Sequence, residues 1–194
     1  MEFQGRWRGF IVWTILMTGS AAMAAQARDS DDQPTLIVRV DNVAPVPADD
    51  LLFAEGRAAA VFGRIGARIR WTNQDQAVRE HIEAPFTIVL VSAENEGGRA
   101  STFVDALGQA NPSVGRAHVF CDRVAALHVG TPRTISILLG DVIAHELGHL
   151  LLPPPGHSAD GIMRPQLETR SWGVKTFTTP QARMILSQIR RLRD

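Results

Sequence analysis

The run from Thr134 to Leu152 is apolar almost throughout: Ile135, Ile137, Leu138, Leu139, Val142, Ile143, Leu147, Leu150 and Leu151 cover every side of a helix. Such a helix has no face to give to water, so the rest of the chain must wrap around it. It nevertheless carries His145, Glu146 and His149. Burying three polar groups without partners costs about 1–3 kcal/mol each. A metal ion removes that cost. Residues four apart share a helix face, so His145 and His149 can both aim a ring nitrogen at one zinc about 2.0–2.1 Å away. Glu146 reaches the same cleft from another angle, where it can take a proton instead of binding the metal. The spacing His-Glu-x-x-His is the pattern that zinc hydrolases use for these roles.

A catalytic zinc takes three protein ligands and keeps a fourth position open, so a third ligand is expected just downstream. The helix must stop at Pro153-Pro154-Pro155-Gly156, because proline lacks the amide donor and clashes with the preceding turn. His157 and Ser158 follow, and then Asp160-Gly161-Ile162-Met163-Arg164-Pro165, a short turn that contains a methionine.

These residues resemble the metzincin clan of zinc peptidases, whose pattern is HExxHxxGxxH followed by a methionine turn under the metal. The resemblance implies His145, His149 and His157 as ligands of one catalytic zinc, Glu146 as general base and Met163 as the structural floor. Ile162-Met163-Arg164-Pro165 looks like the matrixin form of that turn. Leu107-Gly108-Gln109-Ala110-Asn111-Pro112 and Gly115-Arg116-Ala117-His118-Val119-Phe120 look like the matrixin segment in which an edge strand is followed by a turn and another strand. By that likeness Leu107, Gly108, Gln109 and Ala110 hold a peptide substrate through main-chain hydrogen bonds. Matrixins also carry a structural zinc and calcium. Gln109 stands where that site has a histidine, leaving only His118 and Asp122, so a second, structural metal is not expected. His118, His81 and His128 read as surface or locally satisfied residues.

The chain departs from the clan pattern in two places. The interval from His149 to His157 is two residues longer than usual, and Leu152 stands where the helix-ending glycine belongs. The triple proline can stop the helix in the glycine's stead, which keeps His157 first as third ligand. Asp160 and Glu168 remain its competitors. The chain also has no tyrosine, so clan members that stabilise the reaction with a tyrosine hydroxyl are poor guides. Arg164 could assist instead, although a solvated surface arginine is the simpler reading.

At the N-terminus, Arg6 and Arg8, an apolar stretch from Phe10 to Met17 and small residues ending in Ala22-Met23-Ala24 read as a secretory signal over residues 1–24. Its apolar core is short of the roughly 20 residues a membrane span needs. Cleavage there leaves 170 of 194 residues, enough for one domain with a sizeable core. Residues 25–34 read as a linker and 35–194 as the catalytic domain. The protein is therefore expected in a secreted or periplasmic location, as a monomer without stable membrane association. Removing Glu2, Arg6 and Arg8 from 20 basic and 20 acidic residues leaves 18 and 19. That balance carries no nucleic-acid footprint. The single cysteine, Cys121, cannot form an intramolecular disulfide and reads as a small apolar residue inside a strand.

Periodicity predicts strands at Thr35 to Val40, Ala67 to Thr72, Phe86 to Ser92, Leu107 to Ala110 and Arg116 to Cys121, with Glu94 to Arg99 a loop. Phe86 to Ser92 is almost continuously apolar and is expected at the centre of the sheet. A helix is expected from Ala48 to Ile65, closed by Gly66, and a last one opened by Thr179 and Pro180. Thr131 and Pro132 are read as the start of the motif helix. The layout is α+β: a mixed twisted sheet, an N-terminal helix, a central metal helix, a methionine turn and a C-terminal helix, as the metzincin likeness also implies. The function expected is zinc-dependent hydrolysis of peptide bonds, with water activated by the metal and Glu146 as general base. Two rivals share these residues: a zinc-binding interaction protein with little turnover, and an amidase acting on cell-wall peptides.

Overall fold

The computed structural model describes residues 33–92, 106–127, 132–167 and 173–193. The expected signal, most of the linker, the loop at Glu94 to Arg99, His128, Thr131 and Glu168 lie outside the described residues. The elements run β1 (Thr35–Asn42), α1 (Ala48–Gly63), β2 (Arg68–Thr72), α2 (Gln74–Glu80), β3 (Phe86–Val91), β4 (Gly108–Asn111), a 3-10 turn at Pro112–Val114, β5 (Arg116–Phe120), α3 (Cys121–Ala126), α4 (Pro132–Leu151) and α5 (Thr179–Arg191). The five strands form one sheet in the order β2-β1-β3-β5-β4. Four are mutually parallel and β4 alone runs antiparallel, at the edge. The architecture is mixed α+β.

Parallel neighbours cannot be joined by a tight turn, so α1 serves as the crossover from β1 to β2. β3 is third of the five strands and all six of its residues are buried. Its continuous apolar run, without polar alternation, is what a strand covered on both faces requires. In β1 the buried positions alternate instead, with Leu36, Val38 and Val40 in the core. Against them pack Ala54, Ala58, Val61 and Phe62 of α1 and Leu138, Val142, Ile143 and Leu147 of α4. Although α4 is long and apolar enough to cross a membrane, most of that stretch is buried inside the protein.

A buried ion cluster pins α1 to α4. Asp141 is 1% exposed; its Oδ1 accepts from Arg57 Nε at 2.7 Å, and its Oδ2 accepts from Arg57 Nη2 at 3.2 Å and from Lys175 Nζ at 2.6 Å. Arg57 Nη2 also donates to Gly173 O at 2.6 Å. One buried carboxylate is thus shared by two cations, and the Gly173 carbonyl takes a further guanidinium N–H. Nothing in the sequence reading singled these residues out.

Two short helices were not expected. α2 buries none of its residues, so it has no apolar period to read; it starts because Asn73 Oδ1 accepts from Gln76 N at 2.8 Å. Cys121 opens α3 instead of closing a strand. The β3 ladder ends at Phe120, whose N–H donates to Leu107 O, so nothing continues the strand beyond it. Burial pushes the Cys121 thiol up to about 11, aided by Asp122. The edge strand begins at Gly108, one residue later than expected, and α1 ends at Gly63, two residues before Ile65.

Removing one member of a buried ion cluster strands the others in low dielectric. Asp141→Ala is expected to cost about 3–5 kcal/mol, measured by urea unfolding. A loss below about 1 kcal/mol would mean that Arg57 and Lys175 find water or other partners.

Candidate metal centre

α4 ends inside a cleft of about 1120 Å³. Helical spacing stacks His145 over His149, with ring centroids 4.8 Å apart. The chain then leaves the helix through the proline run and returns His157 to the same spot. His149 Nε2 lies 3.1 Å from His145 Nε2 and 3.1 Å from His157 Nε2. Two nitrogens bound to one tetrahedral zinc stand roughly 3.3–3.4 Å apart, given bonds of 2.0–2.1 Å. The three histidines are therefore placed to bind a metal, and they are the cluster of metal-ligating side chains found among the described residues.

The protonation states agree with that geometry. His145 Nδ1 lies 2.8 Å from the Ile162 carbonyl, which can only accept, so Nδ1 carries the proton and Nε2 presents its lone pair to the cluster. Burial holds His145 below the usual imidazole range, opposed in part by that hydrogen bond. Burial, with help from the neighbouring imidazoles, pushes His149 down to about 4. Neutral rings are the ligand form. His145, His149 and His157 meet at their nitrogens, and with His145 Nε2 bare of hydrogen they suit a shared cation better than hydrogen bonds to one another.

Glu146 is 5% exposed and lines the same cleft. Burial pushes its carboxyl up to about 8. Leu107, Gly108, Gln109 and Ala110 also line this cleft. β4 approaches so closely that a Cβ on Gly108 would lie 2.6 Å from Glu146 Cγ and Oε1. On its other long edge β4 has no strand partner among the described residues. Much of the remaining lining is apolar, from Leu127, Val142, Leu152 and Leu167, with Pro154 and Pro155 beside His157.

Beneath the histidines lies the turn that bears Met163. Ile162 and Met163 are fully buried, and a side chain on Gly148 would collide with Met163 Sδ. The turn is held by Ser158 N donating to Met163 O and Ile162 N donating to Thr176 O, both at 2.9 Å.

Other candidates fall elsewhere. Asp160 is exposed and outside the histidine cluster, its carbonyl taken up by the Ser158 hydroxyl at 2.7 Å. Arg164 is exposed, and His81 is an exposed left-handed cap of α2. His118 is half-buried and sits opposite Gln109 in the β4–β5 ladder.

No protein-family model matches the sequence, and no curated protein matches it. A solved structure does match the fold: archaemetzincin from Methanopyrus kandleri, with a TM-score of 0.54 and 15% identity, covering 82% of this chain and 98% of its own. At that identity the likeness speaks for the architecture alone.

In the metal-free protein, stability between pH 6.5 and 8 should follow Glu146. Unfolded, this carboxyl ionises near 4.5, whereas folded it holds its proton to about 8, so the folded state binds the extra proton and loses stability as pH rises through that window. His145 and His149 act in the opposite sense while their unfolded rings titrate around 6.5, which flattens the slope at the acid end of that window. The urea midpoint of the metal-free chain is expected to fall from pH 6.5 to 8, and Glu146→Gln to remove most of the slope. An equal slope in the variant would assign it to other groups.

Proposed function

We propose that this chain is an exported zinc-dependent peptidase of the metzincin kind. The observation that carries the reading is the meeting of three imidazoles and a buried carboxyl in one cleft, beside an edge strand. The likeness of the fold to archaemetzincin supports it. The matrixin-like edge segment and methionine turn favour a peptide substrate, and the sequence of residues 1–24 favours export.

In this reading His145, His149 and His157 hold the ion, which when bound supplies a Lewis acid and a counter-charge for the negative oxygen that develops on the scissile carbonyl. Each protein group then has a defined task. The Ile162 carbonyl keeps His145 in the tautomer that presents Nε2. Glu146 accepts a proton from the attacking water and returns it to the leaving amine. Its burial favours holding that proton between the two steps, and nearby positive charge favours giving the carboxylate back. The main chain of Leu107 to Ala110 takes the substrate as an added strand, which aligns the scissile bond with the cleft while leaving side-chain choice to the walls.

Incubation of the zinc-loaded chain with a diverse peptide library should yield cleavage, and Glu146→Ala should reduce it about 10²–10⁴-fold with zinc retained. Gly108→Ala tests the placement of that carboxylate. Because the atoms nearest the added methyl all belong to the Glu146 side chain, which must move aside, the variant should keep its zinc while kcat falls. No cleavage by the parent at full zinc occupancy would transfer the assignment to a binding protein or to an amidase for non-protein substrates.

A further inference from the structure

The loop that carries His157 is held after the histidine by Ser158, whose N–H donates to Met163 O and whose hydroxyl reaches Asp160 O, but before it the chain has few bonds of its own. Pro153, Pro154 and Pro155 are exposed and have no N–H to donate, and the His157 side chain is itself exposed. Before His157 the grip comes from α5. Gln181, in the first turn of that helix, is 6% exposed. Its Nε2 donates to Gly156 O at 2.9 Å, while its Oε1 accepts from Thr178 N at 3.1 Å and from Thr178 Oγ1 at 3.0 Å. One amide therefore caps a helix with its oxygen and holds the residue before His157 with its nitrogen. Gly156 also presses on the second ligand: its φ is +72° and a Cβ there would lie 2.9 Å from His149 Nδ1. Fixing the Gly156 carbonyl thus fixes the entry to His157 and one side of the His149 ring.

We propose that Gln181 is a positioning residue for the metal site, acting through Gly156 on His157; the inference rests on the reading of the three histidines as ligands. Its two halves can be separated. A carboxylate at this third helical position still accepts from the Thr178 N–H and caps the helix as well as an amide does, but it has no proton to give Gly156 O. Measured at a pH where the new carboxyl is ionised, Gln181→Glu should keep the cap and hold a urea midpoint above that of Gln181→Ala. The zinc affinity of Gln181→Glu should fall about 10–100-fold, the range found when outer partners of metal ligands are removed. Gln181→Ala should lose the same affinity and lower the midpoint as well.

The readouts are zinc affinity by competition with a chromophoric chelator and the visible absorption of the cobalt-substituted proteins. The cobalt bands should shift in both variants as His157 loses its orientation. Parental zinc affinity and an unchanged cobalt spectrum in either folded variant would overturn the proposal while leaving the metal site intact. Failure of the parent itself to bind zinc would overturn both the site and this role for Gln181.

Discussion

A helix buried on nearly every side needs partners for the polar side chains it carries, and in three successive turns α4 carries Asp141, His145, Glu146 and His149, of which Glu146 faces the cleft and the other three meet partners in the protein. Asp141 is answered by Arg57 and Lys175. One turn further on, His145 is answered on its far side by the Ile162 carbonyl, and the near sides of His145 and His149 meet each other and His157. The apolar character that buries the helix favours the neutral form of His145 and His149, and the following loop returns His157 to them. Stability and the convergence of the candidate ligands thus draw on the same burial.

The segment from Gly173 to Thr178 ties these outcomes together. Gly173 O receives Arg57 and Lys175 reaches Asp141, which fixes the segment to the α1–α4 clamp. Thr176 O receives Ile162 N, the residue whose carbonyl orients His145. Phe177 packs edge-on against Phe62 at 5.0 Å and borders Gly148 in the middle of the motif. Thr178 then opens α5, whose Gln181 holds the ligand loop. One extended stretch therefore supports the clamp, the turn that bears Met163 and the loop of His157 in succession. Loosening it at either end should be felt at the histidine cluster as well as in the core.

What the sequence made legible was whatever rests on a short period or a local stop. The four-residue interval between His145 and His149 becomes one face because the run around it can only be a helix. The unbroken apolar stretch from Phe86 became the central strand, and the prolines ended α4 where they had to. Long-range partners leave no such mark: Arg57 stands 84 residues from Asp141, and no spacing rule connects them. A charged residue in the midst of an apolar helix was nevertheless a signal, since Asp141 had to have a cation somewhere. Gln181 was also legible in part, because Thr178-x-x-Gln181 has the spacing of a capping pair; that the same side chain reaches Gly156 follows only from the fold. α2 and α3 escaped because a helix of six or seven residues that buries one residue or none shows no period.

The central claim is that one ion is held by the three histidines. Crystals grown with zinc and measured on either side of the zinc absorption edge test it directly. The account predicts one strong anomalous peak per chain, about 2.0–2.1 Å from the Nε2 atoms of His145, His149 and His157, with no carboxylate of the protein as a ligand. A peak bound by Asp160 or Glu168 in place of His157, or no peak between the histidines, would contradict it.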